Sequence, residues 1–294
     1  MKLRVTIVGA GALARALVEA LPPARVVLTI VARRPAAARR LAKLSRGASA
    51  QDRGEALRSA QVVLLAVDDR AIPAVARELA PLRRSWRGVV VLHAAGGVPV
   101  SALAPLARLG ASTGVLHPIL PLHRSGQARL AGAPARIAGS PKAKAAAKRL
   151  AAWTGLSPLP RRRAERATDV DLHHAAAALC TGDVLALLTL AEDALYASGV
   201  PRPAARRAAL SAAAATLDRI GRSGPGATLS GPVVRGDLPR LLRHLGALAA
   251  VHPQAALAHR ALTLRLADLA VEAGVITRPA AAKLARGLGR SSTV

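Results

Sequence analysis

One short string constrains this chain more than any other. Val5-Thr6-Ile7-Val8 reads as a buried strand and runs directly into Gly9-Ala10-Gly11-Ala12-Leu13-Ala14, which opens an Ala/Leu-rich helix that stops at Pro22-Pro23. In a strand–turn–helix unit each small residue of such a string has a physical task. Gly9 permits the tight turn, Gly11 lets the backbone approach a pyrophosphate, and Ala14 lets helix and strand pack closely. The phosphates then meet free N–H groups at the helix N-terminus. In an Ala- and Gly-rich chain the same string can be a plain turn with no ligand. Its place in the first strand–helix–strand unit is the context that a dinucleotide site requires.

The end of the second strand carries the next information. An NAD site places a carboxylate there for the ribose 2′-hydroxyl. Here Val26 to Val31 leads through Ala32 into Arg33-Arg34, with no acidic residue nearby. Arginine forks can grip a 2′-phosphate through charge-assisted hydrogen bonds. Their plain alternative is two arginines on a solvated helix start, but the missing carboxylate favours NADP. Ala66 and Val67 end the strand Gln61 to Val67 and are expected beside the cofactor. Asp68 and Asp69 follow at the same edge, where capping of the next helix is the simplest role.

Short apolar runs alternate with helical patterns through the first half, the signature of a parallel sheet with crossover helices. Gly88 to Leu92, Thr113 to Leu116 and Ala135 to Ala138 supply further strands. After about Pro160 the pattern is helical: Ala167 to Ser198, Pro203 to Gly221, Leu238 to Ala250, Pro253 to Ala273 and Pro279 to Leu288. Leu238, Leu241, Leu242, Leu245 and Leu248 mark one apolar face. The basic linker Arg161-Arg162-Arg163 suggests a boundary, hence an α/β Rossmann-type domain over residues 1–160 and an all-α domain over 161–294.

Charge needs care. The net charge is +27, yet only 6 of the 43 cations are Lys, and Phe and Asn are absent while Ala, Arg, Gly and Pro abound. A GC-rich genome writes that profile, so codon bias is the expected main cause of the charge, with an anionic partner as the alternative. Only three aromatics (Trp86, Trp153, Tyr196) are present, so base-stacking platforms are missing and no nucleic-acid partner is expected. The single cysteine, Cys180, reads as a small core residue inside a helix and points to a reducing compartment. Lys2, Arg4 and the apolar run after them imitate a signal peptide, but Arg15 and Glu19 follow at once. Ala175 to Ala191 is interrupted by Asp183 and is a poor membrane span. A cytoplasmic protein with no membrane partner is the expectation.

Three histidines fall where chemistry could occur. His93 ends one strand before Ala94-Ala95-Gly96-Gly97, His117 ends another before Pro118, and His174 follows His173 at the start of the first long helix of the second half. Each alone is more often structural; together they place titratable groups at the strand ends and on a helix. No pair has a carboxylate or thiolate at metal spacing, so no metal is expected. The run Thr228 to Asp237 is a helix-breaking corner in which Asp237 caps the next helix, or else one that sends Ser230 or Arg235 toward a substrate.

These stretches together resemble a known family. Gly9 to Ala14, Ala66 to Ile72, Val91 to Gly96, Leu116-His117-Pro118, His173 to Ala177, Thr228 to Asp237 and His259 to Leu262 occur in the order found in Rossmann-like oxidoreductases whose second domain is catalogued as domain of unknown function 2520. These are distant relatives of ketopantoate reductase and pyrroline-5-carboxylate reductase. The resemblance covers nearly the whole chain, with residues 230–237 the most specific. It implies a helical domain like the C-terminal domain of 6-phosphogluconate dehydrogenase, NADP binding and reduction of a carbonyl or imine. The chain departs from the family pattern at His173 and His259 (usually Tyr), Ala94 (usually Ser or Thr) and Gly182 (usually Asn).

The expected function is therefore an NADP-dependent oxidoreductase acting on a small 2-oxo acid or imine, with His174 as proton donor, His117 as anchor or alternative donor, and His93 and Arg235 nearby. The alternative is a catalytically weak nicotinamide-binding sensor or scaffold, which the loss of Asn at Gly182 supports. Apolar positions on more than one face of the helical half lead to the expectation of a homodimer.

Overall fold

The computed structural model describes residues 1–122, 129–163, 165–166 and 168–289. The chain divides into two compact units, Met1–Thr181 and Gly182–Val294. Strands in the first are β1 (Leu3–Val8), β2 (Val26–Val31), β3 (Ala48–Ala50), β4 (Val62–Leu65), β5 (Val90–His93), β6 (Ser112–Pro118), β7 (Pro134–Gly139) and β8 (Ser157–Pro158). Its helices are α1 (Ala12–Ala20), α2 (Pro35–Ala42), α3 (Arg53–Arg58), α4 (Ile72–Leu79), α5 (Ala104–Arg108), α6 (Pro141–Thr154) and α7 (Thr168–Cys180).

The strands form one sheet in the order β3-β2-β1-β4-β5-β6-β7-β8. All neighbours are parallel except β6 and β7, which run antiparallel. Side chains alternate between two cores, as the period of a strand requires. Val62 and Leu64 join α1, α2 and α6 in one cluster, while Val63 and Leu65 join α3, α4 and α5 in the other. Burial on both faces explains why these strands read as continuous apolar runs. Because β2 and β4 flank β1, the chain reverses direction across the sheet there. The carboxyl ends of those three strands bound the crevice where ligands of such folds bind.

The compact division falls after Thr181, later than the basic linker marks it. Ion pairs give the reason: Arg136 of β7 pairs with Glu165, and Arg161 and Arg163 pair with Asp169 of α7. The linker and α7 are thereby tied to the sheet. The expected helix start at Ala167 lies outside the described residues. The helix expected through Ser198 is interrupted by a turn at Thr181. Cys180, expected in a core, is exposed at the end of α7.

The second unit contains α8 (Gly182–Ala197), α9 (Arg202–Ser223), α10 (Leu238–Val251), α11 (Pro253–Glu272) and α12 (Arg278–Gly289). Asp237 caps α10, accepting a hydrogen bond from the Arg240 N–H at 3.0 Å. Leu241 and Leu245 join Val233, Ala256, Ala267, Leu284 and Leu288 in a small core, with Leu238 and Leu248 against it. Leu242, expected on that face, is exposed. Arg206 of α9 forks onto Glu192 of α8 at 2.9 and 3.1 Å. Among the described residues one helical stretch, Thr168–Ala197, has the length and apolar composition to cross a membrane. Asp169, Asp171, Asp183, Glu192 and Asp193 lie along it. A charged carboxylate at a bilayer centre costs roughly 2.5–3.5 kcal/mol, which weighs against a span here.

Candidate functional site

The glycine turn comes first. Gly9 has φ +135°, and a Cβ on it would stand 2.1 Å from the Ala66 carbonyl oxygen. Neither strand end can yield, because Gly9 N–H bonds the Val31 carbonyl and Ala66 N–H bonds the Val8 carbonyl, both at 2.8 Å. Gly11, the N-cap of α1, is the opposite case: a Cβ there would meet nothing within 4 Å. The first turn of α1 contains no acid, and no side chain caps it. Its free N–H groups and dipole thus make an anion-binding end. Ala14 is fully buried behind the turn, where helix and sheet pack.

A cleft of about 790 Å³ opens from this turn, lined among others by Gly9, Ala10, Gly11, Ala12, Leu13, Ala66 and Val67. Arg33, Arg34, Arg40 and Arg53 line it as well. Arg53 is committed to Glu78. Among the described residues no carboxylate pairs with Arg33, Arg34 or Arg40, and the end of β2 brings no acid. The open glycine backbone, the uncapped helix end and three uncompensated guanidinium groups fit a dinucleotide bearing a 2′-phosphate. Asp68, at the same edge, accepts a hydrogen bond from the Arg70 N–H at 3.0 Å and so caps the turn that follows β4.

The histidines are placed unequally. His117 and His174 both line the cleft. A Cβ on Gly96 would stand 2.6 Å from His174 Nδ1 and 2.7 Å from His117 Nε2, so only a glycine lets both rings approach. His117 lies inside β6, one residue before the strand ends, and its Nδ1 is 3.0 Å from the Ala94 carbonyl oxygen. A carbonyl only accepts, so Nδ1 carries the proton and Nε2 of the neutral ring holds a lone pair. Burial lowers the His117 pKa, with the Arg136 charge and His174 adding to that effect and the Ala94 hydrogen bond and Asp69 opposing it. With Nδ1–H given to the Ala94 carbonyl, the remaining nitrogen of neutral His117, Nε2, is an acceptor.

His93 stands behind the wall of the cleft. It is fully buried, and its Nδ1 accepts a hydrogen bond from the Ala95 N–H at 3.3 Å. His173 is not among the residues lining the cleft; its ring lies against His117, with centroids 6.0 Å apart. Burial first, then the Arg136 charge, lowers both His93 and His173 to a pKa of about 4. Arg235 belongs to the helical unit, where it is exposed ahead of α10. Among the described residues no group of three metal-binding side chains converges.

Gly96 falls within the stretch Val91 to Gly96 without a role assigned to it, and Arg136 escapes a reading by motif. Arg136 is 1% exposed and forks onto Glu165 with two bonds of 2.8 Å. The signal was a lone cation in an otherwise apolar strand.

The shifted histidine gives an expected pH dependence. Between its ordinary 6.5 and about 4, His93 binds a proton in the unfolded chain but not in the folded one. Stability from this group is therefore complete above pH 6.5 and falls as the pH drops toward 4, by about 3 kcal/mol in all. Urea unfolding across that range should show the loss. It should be smaller in His93→Asn, whose amide oxygen can replace Nδ1 as acceptor; an identical pH profile in the variant rejects the assignment.

Two family models match the chain. Residues 1–118 match the Rossmann-like domain family, and residues 133–266 match the family described as domain of unknown function DUF2520. Comparison with the curated proteins found no match. Among solved structures, an inferred NADP oxidoreductase from Bacteroides fragilis is 19% identical with a TM-score of 0.68, covering 91% of this chain and 98% of its own. An imine reductase from Pseudomonas sp. is 17% identical with a TM-score of 0.63, covering 98% and 100%. A reductive aminase from Aspergillus terreus, in complex with NADPH and ethyl-5-oxohexanoate, is 17% identical with a TM-score of 0.59, covering 99% and 94%. At these identities the likeness is one of fold.

Proposed function

We propose that this chain, a Rossmann-like domain followed by a domain of the DUF2520 family, is an NADP-dependent oxidoreductase that reduces a small 2-oxo acid or imine. The observation that carries the reading is one continuous cleft in which the glycine turn and unpaired arginines lead to His117 and His174. The structural likeness to an imine reductase and to a reductive aminase in complex with NADPH supports the choice of chemistry.

The backbone of Gly9 to Leu13 and the α1 N-terminus would hold the pyrophosphate, beside Ala66 and Val67. Arg33 and Arg34, joined by Arg40, would hold the 2′-phosphate. A bound nicotinamide supplies the hydride donor. Reduction of a carbonyl leaves negative charge on its oxygen, so a proton donor must stand within hydrogen-bond reach. His174 fills that role, because it lines the cleft and is exposed. Neutral His117 orients a substrate N–H or O–H or steadies His174. NADPH oxidation with a panel of 2-oxo acids and cyclic imines tests the reading; turnover on none of them counts against it. A second reading, a catalytically weak nicotinamide-binding sensor, is favoured by Gly182, where a Cβ would meet nothing within 4 Å and packing does not require glycine. Tight NADPH binding without turnover would select it.

We also propose a homodimer built on the helical unit, with a second copy of the chain as the cover. Leu185, Leu210, Leu217 and Leu257 are each more than half exposed there. Such a density of bare leucines exceeds what single surface residues explain. Light scattering at micromolar concentration should give twice the 30.0 kDa chain mass, and Leu185→Glu with Leu217→Glu should return the chain to one copy. A monomer in the unmodified protein refutes it.

A further inference from the structure

We infer that Arg136 and Glu165 are a positioning pair for the proposed active site: through the Gly96 peptide they hold the turn after β5 against His117 and His174. This deepens the reading of the cleft as catalytic and rests on it.

The register of the antiparallel pairing sets Arg136 of β7 directly opposite His117 of β6. Burying a guanidinium costs several kcal/mol unless its nitrogens find acceptors. Each Arg136 nitrogen has a partner: Nε and Nη2 donate to the two oxygens of Glu165, each at 2.8 Å, and Nη1 donates to the Gly96 carbonyl at 3.3 Å, so three of the five N–H donors are met. A buried ion pair can often be exchanged for apolar side chains without loss of stability, so packing alone does not explain a cation inside a strand. What distinguishes Arg136 is the atom it holds. The Gly96 carbonyl belongs to the residue whose missing side chain lets His117 and His174 converge. Asp69 restrains the next residue from the other side, with Oδ2 3.5 Å from the Gly97 N–H.

The same guanidinium acts on the rings through its charge. The groups facing His117 are Arg136, Asp69, His174, His173 and His93, and those facing His173 are Arg136, His117, Glu165 and Arg161. The Arg136 charge disfavours imidazolium at His93, His117 and His173, and Glu165 partly offsets it at His93 and His173. Glu165 is drawn opposite ways: burial would raise its pKa, but the Arg136 hydrogen bond and charge, with Arg161 and His173, bring it below the ordinary value. It is therefore ionised wherever the protein is folded near neutral pH.

The two members of the pair thus push the histidines in opposite directions, and that separates this role from simple support. Proton NMR titration of the imidazole C–H signals, assigned with His117→Gln and His173→Gln, reads it without any need for turnover. Arg136→Met should raise the His173 midpoint by about one pH unit, since one unit corresponds to a single charge interaction of modest size. Glu165→Gln, which keeps the shape of the fork, should lower it. Turnover should fall about 10-fold or more in Arg136→Met, with NADPH affinity within a few fold, as expected when a positioning contact is lost. Midpoints that stay fixed, or that shift the same way in both variants, overturn the proposal. Should Arg136→Met not fold, Arg136→Lys and Glu165→Gln carry the test: Lys keeps the charge but not the fork, so the midpoint should stay near the unmodified value while the Gly96 and Gly97 amide signals move. If the titrations behave as stated and no substrate turns over, the pair stands and the catalytic reading of the cleft fails.

Discussion

Gly9→Ala is expected to destroy NADPH binding and to destabilise the sheet unit. Two independent effects combine. At φ +135° an L-residue is strained by about 1–3 kcal/mol. Its Cβ would also lie 2.1 Å from the Ala66 carbonyl oxygen and 2.7 Å from the carbon, both backbone atoms held by strand pairing. The turn must then swing away from β4, taking the N-terminus of α1 with it, and a loss of about 100-fold or more in NADPH affinity follows from losing two or more charge-assisted contacts. Gly11→Ala separates folding from binding. Its φ is −84° and its Cβ meets nothing in the protein, so thermal stability should hold. NADPH affinity should still drop, because the methyl group occupies the space that the phosphates need. If both variants bind NADPH like the unmodified chain, the glycine turn is not the phosphate site.

His174→Ala should lower turnover by about 10²–10⁴, the usual cost of removing a general acid. Cofactor affinity should stay within a few fold, because in the proposed binding mode the pyrophosphate and 2′-phosphate are held by the glycine turn and Arg33 and Arg34, not by His174. His173→Ala should matter much less, and the structure supplies a reason beyond the rotation of about 100° between neighbours on a helix. Both rings lie against His117, but His174 also lines the cleft, whereas His173 does not and its Nε2 is buried without a hydrogen-bond partner among the described residues. Full turnover in His174→Ala would move the role to His117, despite a proton fixed on Nδ1 by the Ala94 carbonyl.

Local physics made much of this legible in the sequence. The strand from Val26 to Val31 coincides with its expected range, and the last four helices match theirs to within a residue or two, because apolar periodicity and flanking Pro or Gly are local signals; the first, expected unbroken to Ser198, is split at Thr181. β3 and β8 were not expected: Ala48–Ala50 and Ser157–Pro158 have no apolar run, and exist only because a neighbouring strand offers them a ladder. The residues that line the cleft near the cofactor follow from a contiguous motif. Those around the histidines do not. His93 and His117 both lie at strand ends, yet only burial shows that one stands behind the wall and the other in it. Arg136 and Glu165 are 29 residues apart, so neither announces the other. Cys180 was misplaced because an Ala-rich helix gives small residues no preferred face.

Calorimetric titration of the full chain with NADPH and with NADH tests the central claim most directly. Arg33 and Arg34 stand where a carboxylate would receive a ribose 2′-hydroxyl, and each charge-assisted fork is worth about 1.5–3 kcal/mol. NADPH should therefore bind at least about tenfold more tightly than NADH, one molecule per chain, and Arg33→Ala with Arg34→Ala should erase that preference. Equal affinity for the two cofactors, no binding of either, or a preference untouched by the double substitution would contradict the account.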